Sequence, residues 1–120
     1  MIVSSNGKKI YPARIEGLFK REPVISQVLL IGDKLPYVTA LITVNGDAKS
    51  EAVASTVDKT VKAINKELPT FEQIRKFKIL EREFSIEAGE LTPTMKLRKS
   101  RIIENHRALV NELYAGRDFD

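Results

Sequence analysis

The chain has 120 residues, enough for one domain with a buried core, and 42% of them are hydrophobic. It contains no cysteine, which excludes disulfides, thiolate metal sites and cysteine nucleophiles. Its one histidine, His106, excludes a metal site built from several histidines, so catalysis would depend on carboxylates, lysines or hydroxyls. The formal net charge of +4 is a modest excess that suits anionic partners. This shortage of catalytic groups suggests that the chain contributes to a larger site.

Targeting segments are not expected in this sequence. No apolar run reaches the roughly 18 residues of a membrane-spanning helix. Residues 1–7 lack the basic region and the long apolar stretch of a signal peptide. We therefore expect no transmembrane segment and a cytoplasmic location.

The first elements in chain order are a hairpin and a short helix. Asn6 and Gly7 lie between two β-prone runs, which predicts a hairpin over 2–11. We expect a type I′ turn there, in which both central residues have positive φ. Pro12 suits a first helical position, and the apolar spacing that follows predicts an amphipathic helix over 12–21.

The middle of the chain predicts a sheet and a long helix. The nearly continuous apolar run 24–31 is typical of a central strand that is buried on both faces. Residues 38–44 alternate and predict a second strand, antiparallel to the first because the linker is short. One apolar face over 50–68 predicts a helix. Residues 69–74 predict a turn with a short helix. Residues 76–80 predict a third strand, with its lysines facing outward.

The last part of the chain predicts a loop and a helix. Glycine, threonine and proline break any period in 84–97, which predicts a loop. A last helix is expected over 97–115, with His106 on its apolar stripe and Gly116 just past its end. Together the elements predict a single α+β domain, with an N-terminal β-hairpin (2–11) followed by a core (12–83) that holds a three-stranded sheet packed with helices.

Few residues qualify as candidates for chemistry. Glu87 and Glu90 are a candidate acid–base pair, although loop carboxylates are usually solvated. His106 is most simply a packed or hydrogen-bonded histidine. Residues 81–90 carry a local net charge of −3 and residues 96–107 one of +4. The basic stretch suits nucleic acid, but no aromatic residues are interleaved with it to stack on bases.

One segment combines a loop with a presented lysine. Residues 89–98, with the sequence GELTPTMKLR, hold small, hydroxyl and proline residues before Lys96, at the start of the predicted helix. A lysine in this place can contact phosphate or carboxylate oxygens as a mobile point charge. The alternative is an ordinary surface lysine.

Two segments resemble motifs of the AMP-forming acyl-CoA synthetases. Residues 5–16, SNGKKIYPARIE, look like the hairpin-to-helix motif that opens the C-terminal domain of these enzymes. Residues 89–98 look like the last motif of their long-chain fatty-acid branch, and the resemblance covers essentially the whole chain. Related branches have Ser-Gly-Lys or Asn-Gly-Lys around the final lysine. This chain has Thr-Met-Lys at 94–96, which favours the long-chain type.

The resemblance implies the small C-terminal lid of a long-chain fatty-acid–CoA ligase, which turns between two orientations on a large N-terminal adenylation domain. ATP and a fatty acid first give acyl-adenylate and pyrophosphate, and CoA then gives acyl-CoA and AMP. Lys96 would be the catalytic lysine of the first step, stabilising charge as pyrophosphate leaves. In the second orientation Gly7 would lie beside the pantetheine tunnel. The full-length enzyme could also bind peripherally to membranes.

The same resemblance gives weaker expectations about ligands. Lys8, Lys9 and Arg98 are candidates for contacts with the phosphates of CoA or of the nucleotide. Mg²⁺ is expected with ATP in the N-terminal domain, and no metal site is expected in this chain. We expect the 120 residues alone to be inactive and to bind neither ATP nor CoA tightly. The alternative function is a stand-alone basic α+β module that binds RNA or another polyanion.

Overall fold

The computed structural model describes residues 1–114. Its strands and helices in chain order are β1 (Ile2–Val3), β2 (Lys9–Ile10), α1 (Pro12–Leu18), β3 (Ile25–Ile31), β4 (Val38–Val44), α2 (Glu51–Asn65), β5 (Ile74–Ile79), α3 (Lys99–Asn105) and α4 (Arg107–Tyr114). Single turns of 3₁₀ helix lie at Phe19–Arg21 and Thr70–Glu72. The predicted α+β class is confirmed. The predicted helix-ending Gly116 lies outside the described residues.

The N-terminal hairpin forms, but with a different turn from the one predicted. Gly7 has a φ of +81°, whereas Asn6 does not adopt a positive φ, so the predicted type I′ turn is wrong. The N–H of Gly7 donates to Ser4 O at 3.0 Å, and Ser4 N–H donates to Lys8 O at 2.9 Å. The hydroxyl of Ser4 also donates to Asn6 Oδ1 at 2.8 Å. These bonds close a three-residue loop in which only the last residue needs glycine.

The sheet has the strand order β3-β4-β5, which corrects the prediction for 24–31. We expected that run to be the central strand, but β3 is an edge strand and β4 is central, with all of its residues buried. β4 pairs antiparallel with β3 across a short linker, as predicted, and parallel with β5. The parallel pairing needs a long crossover, which α2 supplies. β5 begins at Ile74, inside the predicted turn.

Helices cover both faces of the sheet, so the domain has two apolar cores. Successive residues of a strand point to opposite faces of the sheet. Because both faces are covered, β3 and β4 carry apolar residues on both sides. On one face the hairpin, α1 and α2 pack on Leu30, Ala40 and Ile42. On the other face α3, α4 and the loop after β5 pack on Leu29, Ile31 and Leu41. The hairpin and the loop that bears Lys96 are therefore anchored in separate cores.

The predicted last helix is two helices in the structure. It begins at Lys99 and is interrupted at His106, whose φ of −116° and ψ of 29° leave the helical region. The break coincides with hydrogen bonds from Asn105 and His106 to the buried Glu90. A single-helix pattern in sequence cannot reveal such a contact. Within residues 1–114, no helix is long and apolar enough to cross a membrane.

Candidate functional site

Lys96 lies directly after the turn (93–95) of a short hydrogen-bonded ribbon formed by residues 90–98, called here the lysine ribbon. Leu91 and Leu97 form an antiparallel bridge. Beyond it, Thr92 N–H donates to Lys96 O at 2.8 Å, and Lys96 N–H donates to Thr92 Oγ1 at 3.0 Å. At the base, Arg98 N–H donates to Glu90 O at 2.8 Å. The backbone of Lys96 is thus held, while its side chain is exposed and able to reach a ligand.

Met95 occupies a strained position directly before this lysine. Its φ is +66°, in the left-handed region, and 62% of the residue is exposed. The left-handed conformation costs a residue other than glycine about 1 kcal/mol. Glycine adopts a positive φ without this cost. This chain adopts it at Met95 instead, within Thr-Met-Lys.

Glu87 and Glu90 lie in opposite environments, so they do not form a matched acid–base pair. Glu87 is exposed, whereas the side chain of Glu90 is fully buried. The expectation that both loop carboxylates are solvated is therefore wrong for Glu90. His106 lies with its Nε2 atom 2.9 Å from Glu90 Oε2, which confirms the predicted hydrogen-bonded histidine. No local sequence pattern predicts this pairing, because the two residues come from separate elements.

The hairpin presents the other predicted residues. Gly7, Lys8 and Lys9 are exposed, and no heavy atom lies within 4 Å of the position that a Cβ on Gly7 would take. The ammonium of Lys8 lies 5.7 Å from the centre of the Phe71 ring. Lys8 and Phe71 line a polar cleft together with Arg75. Glycine at position 7 is therefore required by its φ and not by packing within this chain.

A pair of charged residues that the sequence analysis did not single out lies beside the lysine ribbon. Lys99, at the start of α3, and Glu16 of α1 are both half-buried and attract each other. Burial lowers the pKa of Lys99 and raises the pKa of Glu16, and the mutual attraction partly opposes both shifts. The N–H of Leu30 also donates to Glu16 Oε2 at 2.9 Å. The two residues belong to the helix after the hairpin and the helix after the ribbon.

The predicted basic residues form two groups. Lys96 and Arg98 belong to the lysine ribbon, and Lys8 and Lys9 belong to the hairpin; all four side chains are exposed. In the part of the chain that the structure describes, no three carboxylate or histidine side chains are grouped so that they could hold a metal ion. The chemistry that this surface offers is contact between lysine or arginine and an anion.

Comparisons with known proteins agree with the motifs. The family profile described as the C-terminal domain of AMP-binding enzymes matches residues 1–118. The long-chain-fatty-acid–CoA ligase FadD15 of Mycobacterium tuberculosis is 32% identical over 95% of this chain and 22% of its own length. The human long-chain-fatty-acid–CoA ligase ACSBG1 is 26% identical over 95% of this chain and 21% of its own length. The chain thus spans about a fifth of the curated relatives that it matches.

Solved structures give the same fold. The adenylation and carrier didomain of the carboxylic acid reductase of Segniliparus rugosus, in complex with AMP, superposes with a TM-score of 0.80 at 24% identity. That match covers 95% of this chain and 17% of the reductase chain. A fatty acyl CoA synthetase of M. tuberculosis superposes with a TM-score of 0.63, also at 24% identity, over 91% of this chain and 20% of its own. The alternative of an RNA-binding module finds no support in these matches. The chain belongs to the family of C-terminal domains of AMP-binding enzymes.

Proposed function

We propose that this chain is the C-terminal lid of a long-chain fatty-acid–CoA ligase and that Lys96 is the catalytic lysine of acyl-adenylate formation. The observation that carries the proposal is the lysine ribbon, in which hydrogen bonds hold the backbone of Lys96 while its side chain is exposed. The names of the curated relatives support the reaction class and the fatty-acid substrate.

In the first half-reaction the fatty-acid carboxylate attacks the α-phosphorus of ATP, and pyrophosphate leaves. Negative charge is then spread over the carboxylate and the α-phosphate. The Lys96 ammonium would bind these oxygens and stabilise the transition state, because a cation placed where negative charge develops lowers the energy of that state. Mg²⁺ would accompany ATP on the N-terminal adenylation domain. The fatty acid and ATP would be held mainly by that domain.

In the second half-reaction the CoA thiol attacks the acyl-adenylate, and AMP leaves. We place Gly7 beside the pantetheine chain, since the hairpin presents no side chain there and the space around the glycine is open. Lys8 and Lys9, with Arg98 from the ribbon, would contact phosphates of CoA or of the nucleotide. The isolated 120 residues would have no ligase activity, since they supply only part of each binding site.

The Lys96 assignment is tested by replacing Lys96 with alanine in the ligase that joins this domain to its N-terminal domain. Acyl-adenylate formation, followed as pyrophosphate release, should fall by about 10²–10³-fold, the usual effect of removing one charge-stabilising group. Thioester formation from preformed acyl-adenylate should be largely retained. The matched control is Lys59→Ala, which removes an exposed lysine of α2 and should change neither rate. Equal loss of both half-reactions, or full adenylation by the Lys96 variant, would contradict the assignment.

A further inference from the structure

Glu90 is a fully buried carboxylate for which the proposed chemistry has no use. Its side chain is 0% exposed, although it belongs to a loop on the surface of the domain. Oε2 accepts hydrogen bonds from Asn105 Nδ2 at 3.2 Å and from His106 Nε2 at 2.9 Å. Oε1 accepts from Ser85 N–H at 3.3 Å and lies 3.7 Å from the guanidinium of Arg82. Burying a carboxylate is costly unless it is bonded in this way, so its position is narrowly defined.

The backbone of Glu90 is bonded on both sides as well. Its N–H donates to Ser85 O at 2.9 Å, and its carbonyl accepts from Arg98 N–H at 2.8 Å. The second bond closes the base of the lysine ribbon, below the Leu91–Leu97 bridge. Glu90 therefore joins the ribbon to the rest of the domain through its main chain and its side chain together.

The break between α3 and α4 is part of this arrangement. In a regular helix, neighbouring side chains diverge by about 100°, so two consecutive residues do not approach one atom. At the break, His106 leaves the helical region, and Asn105 and His106 both reach Glu90 Oε2. The interrupted helix thus supplies two adjacent donors to a single carboxylate oxygen.

We propose that Glu90 is a positioning residue, which holds the lysine ribbon in the conformation that presents Lys96 by bonding its base to the α3–α4 junction. This inference rests on the proposed role of Lys96. The side chain of Lys96 is exposed, so the ribbon is held mainly from its base. There Glu90 is bonded to the α3–α4 junction, and Leu91 and Leu97 pack on the core. A general structural role for Glu90 would instead stabilise the whole domain without a particular effect on the ribbon.

Hydrogen exchange in the 120-residue chain separates these two roles. Glu90→Gln keeps the shape and removes the charge. Asn105→Ala replaces an exposed residue whose amide donates to Glu90 Oε2 and also to Ala88 O. In both variants the amides of Thr92, Lys96 and Arg98 should exchange about ten- to a hundredfold faster, the range expected for a lost hydrogen bond to a charged group. The exchange rates of amides in the central strand β4 should increase by much less. Glu87→Gln, which alters an exposed carboxylate of the same loop, is the matched control and should change neither set.

The kinetics of the ligase that carries this domain provide a second test. Glu90→Gln should lower kcat of adenylation by roughly ten- to a hundredfold with little change in KM for ATP, because a displaced catalytic group affects the reacting geometry. The rate of thioester formation from preformed acyl-adenylate should be unchanged. The kcat of adenylation of Asn105→Ala should lie between those of wild type and Glu90→Gln.

Three results would overturn the positioning role: unchanged exchange of the ribbon amides in both variants, equal acceleration of ribbon and β4 amides, or full adenylation by Glu90→Gln. The proposed function fails on a different result, namely full adenylation by Lys96→Ala. The two proposals can therefore fail separately.

Discussion

At the scale of single residues, Gly7 has two properties that substitutions can separate. Its φ of +81° favours glycine, and the space around it is open within this chain. Asparagine tolerates positive φ better than other residues with a side chain, whereas leucine does not. Gly7→Asn therefore keeps the backbone while adding volume, and Gly7→Leu changes both.

If Gly7 lies beside the pantetheine chain, a larger side chain at this position should slow thioester formation whether or not it fits the backbone. We expect both Gly7→Asn and Gly7→Leu to slow thioester formation from preformed acyl-adenylate in the ligase, with Gly7→Leu the slower of the two. Adenylation should be retained, which is the reverse of the pattern for Lys96→Ala. Half-reaction rates measured separately check this expectation. Full thioester formation by Gly7→Leu would show that the tunnel assignment is wrong.

At the scale of elements, an ion pair joins α1 to the 3₁₀ turn before β5. Arg14 Nη2 donates to Glu72 Oε1 at 2.6 Å, and the Glu72 side chain is only 7% exposed. A second pair, Arg21 with Glu67, has both side chains about half exposed. The loss of a hydrogen bond destabilises the protein more when the remaining partner is buried, because that group cannot bond to water instead. The two pairs thus offer a direct comparison within one fold.

We expect Arg14→Ala to lower the free energy of unfolding by about 1 kcal/mol, because it leaves the buried Glu72 carboxylate without this donor. Arg21→Ala should have little or no effect, as is usual for exposed pairs. Urea unfolding of both variants measures the difference. In a Glu72→Gln background, Arg14→Ala should lower the free energy of unfolding by less, which a double-mutant cycle would detect. Equal costs for Arg14→Ala and Arg21→Ala would contradict this account.

At the scale of the whole molecule, Tyr114 connects the end of α4 with the sheet. Its single hydroxyl hydrogen is shared between the carbonyls of Tyr37 and Ile31, at 2.9 and 3.1 Å, and its oxygen accepts from Thr39 Oγ1 at 3.1 Å. Burial raises the pKa of Tyr114 from 10.0 to about 12. The folded state therefore keeps a proton that the unfolded chain loses above pH 10. This contribution to stability is complete below about pH 10 and is lost as the pH rises through about 12.

An alkaline titration of stability checks this effect. Between pH 9 and pH 12 the free energy of unfolding of the wild-type chain should fall by about 2 kcal/mol more than that of Tyr114→Phe, which has no phenol to ionise. Tyr11→Phe, which removes the phenol of a residue that is 55% exposed, is the matched control. Chemical unfolding at a series of pH values gives the comparison. Parallel curves for wild type and Tyr114→Phe would refute it.

Local patterns in the sequence predicted much of the fold. The apolar face of α2 and the turn chemistry at Gly7 depend on neighbours within a few residues, so both elements could be predicted. The motif at 89–98 also lies within a few residues, and it predicts Lys96 as the catalytic lysine; the structure shows that this side chain is exposed. The exact turn was missed because the bonds of the Ser4 hydroxyl close a longer loop.

The tertiary structure decided what depends on distant partners. β3 and β4 are both apolar on two faces, so their order in the sheet followed only from the crossover of α2 and the pairing of β5. Glu90 is an ordinary loop glutamate in sequence, and its buried carboxylate depends on donors that the α3–α4 junction supplies. Sequence determined most of the elements, since they are encoded locally, and its motif predicts Lys96 as the residue that bears the proposed chemistry. The fold determined how that residue is held, because burial and hydrogen bonding join segments that are far apart along the chain.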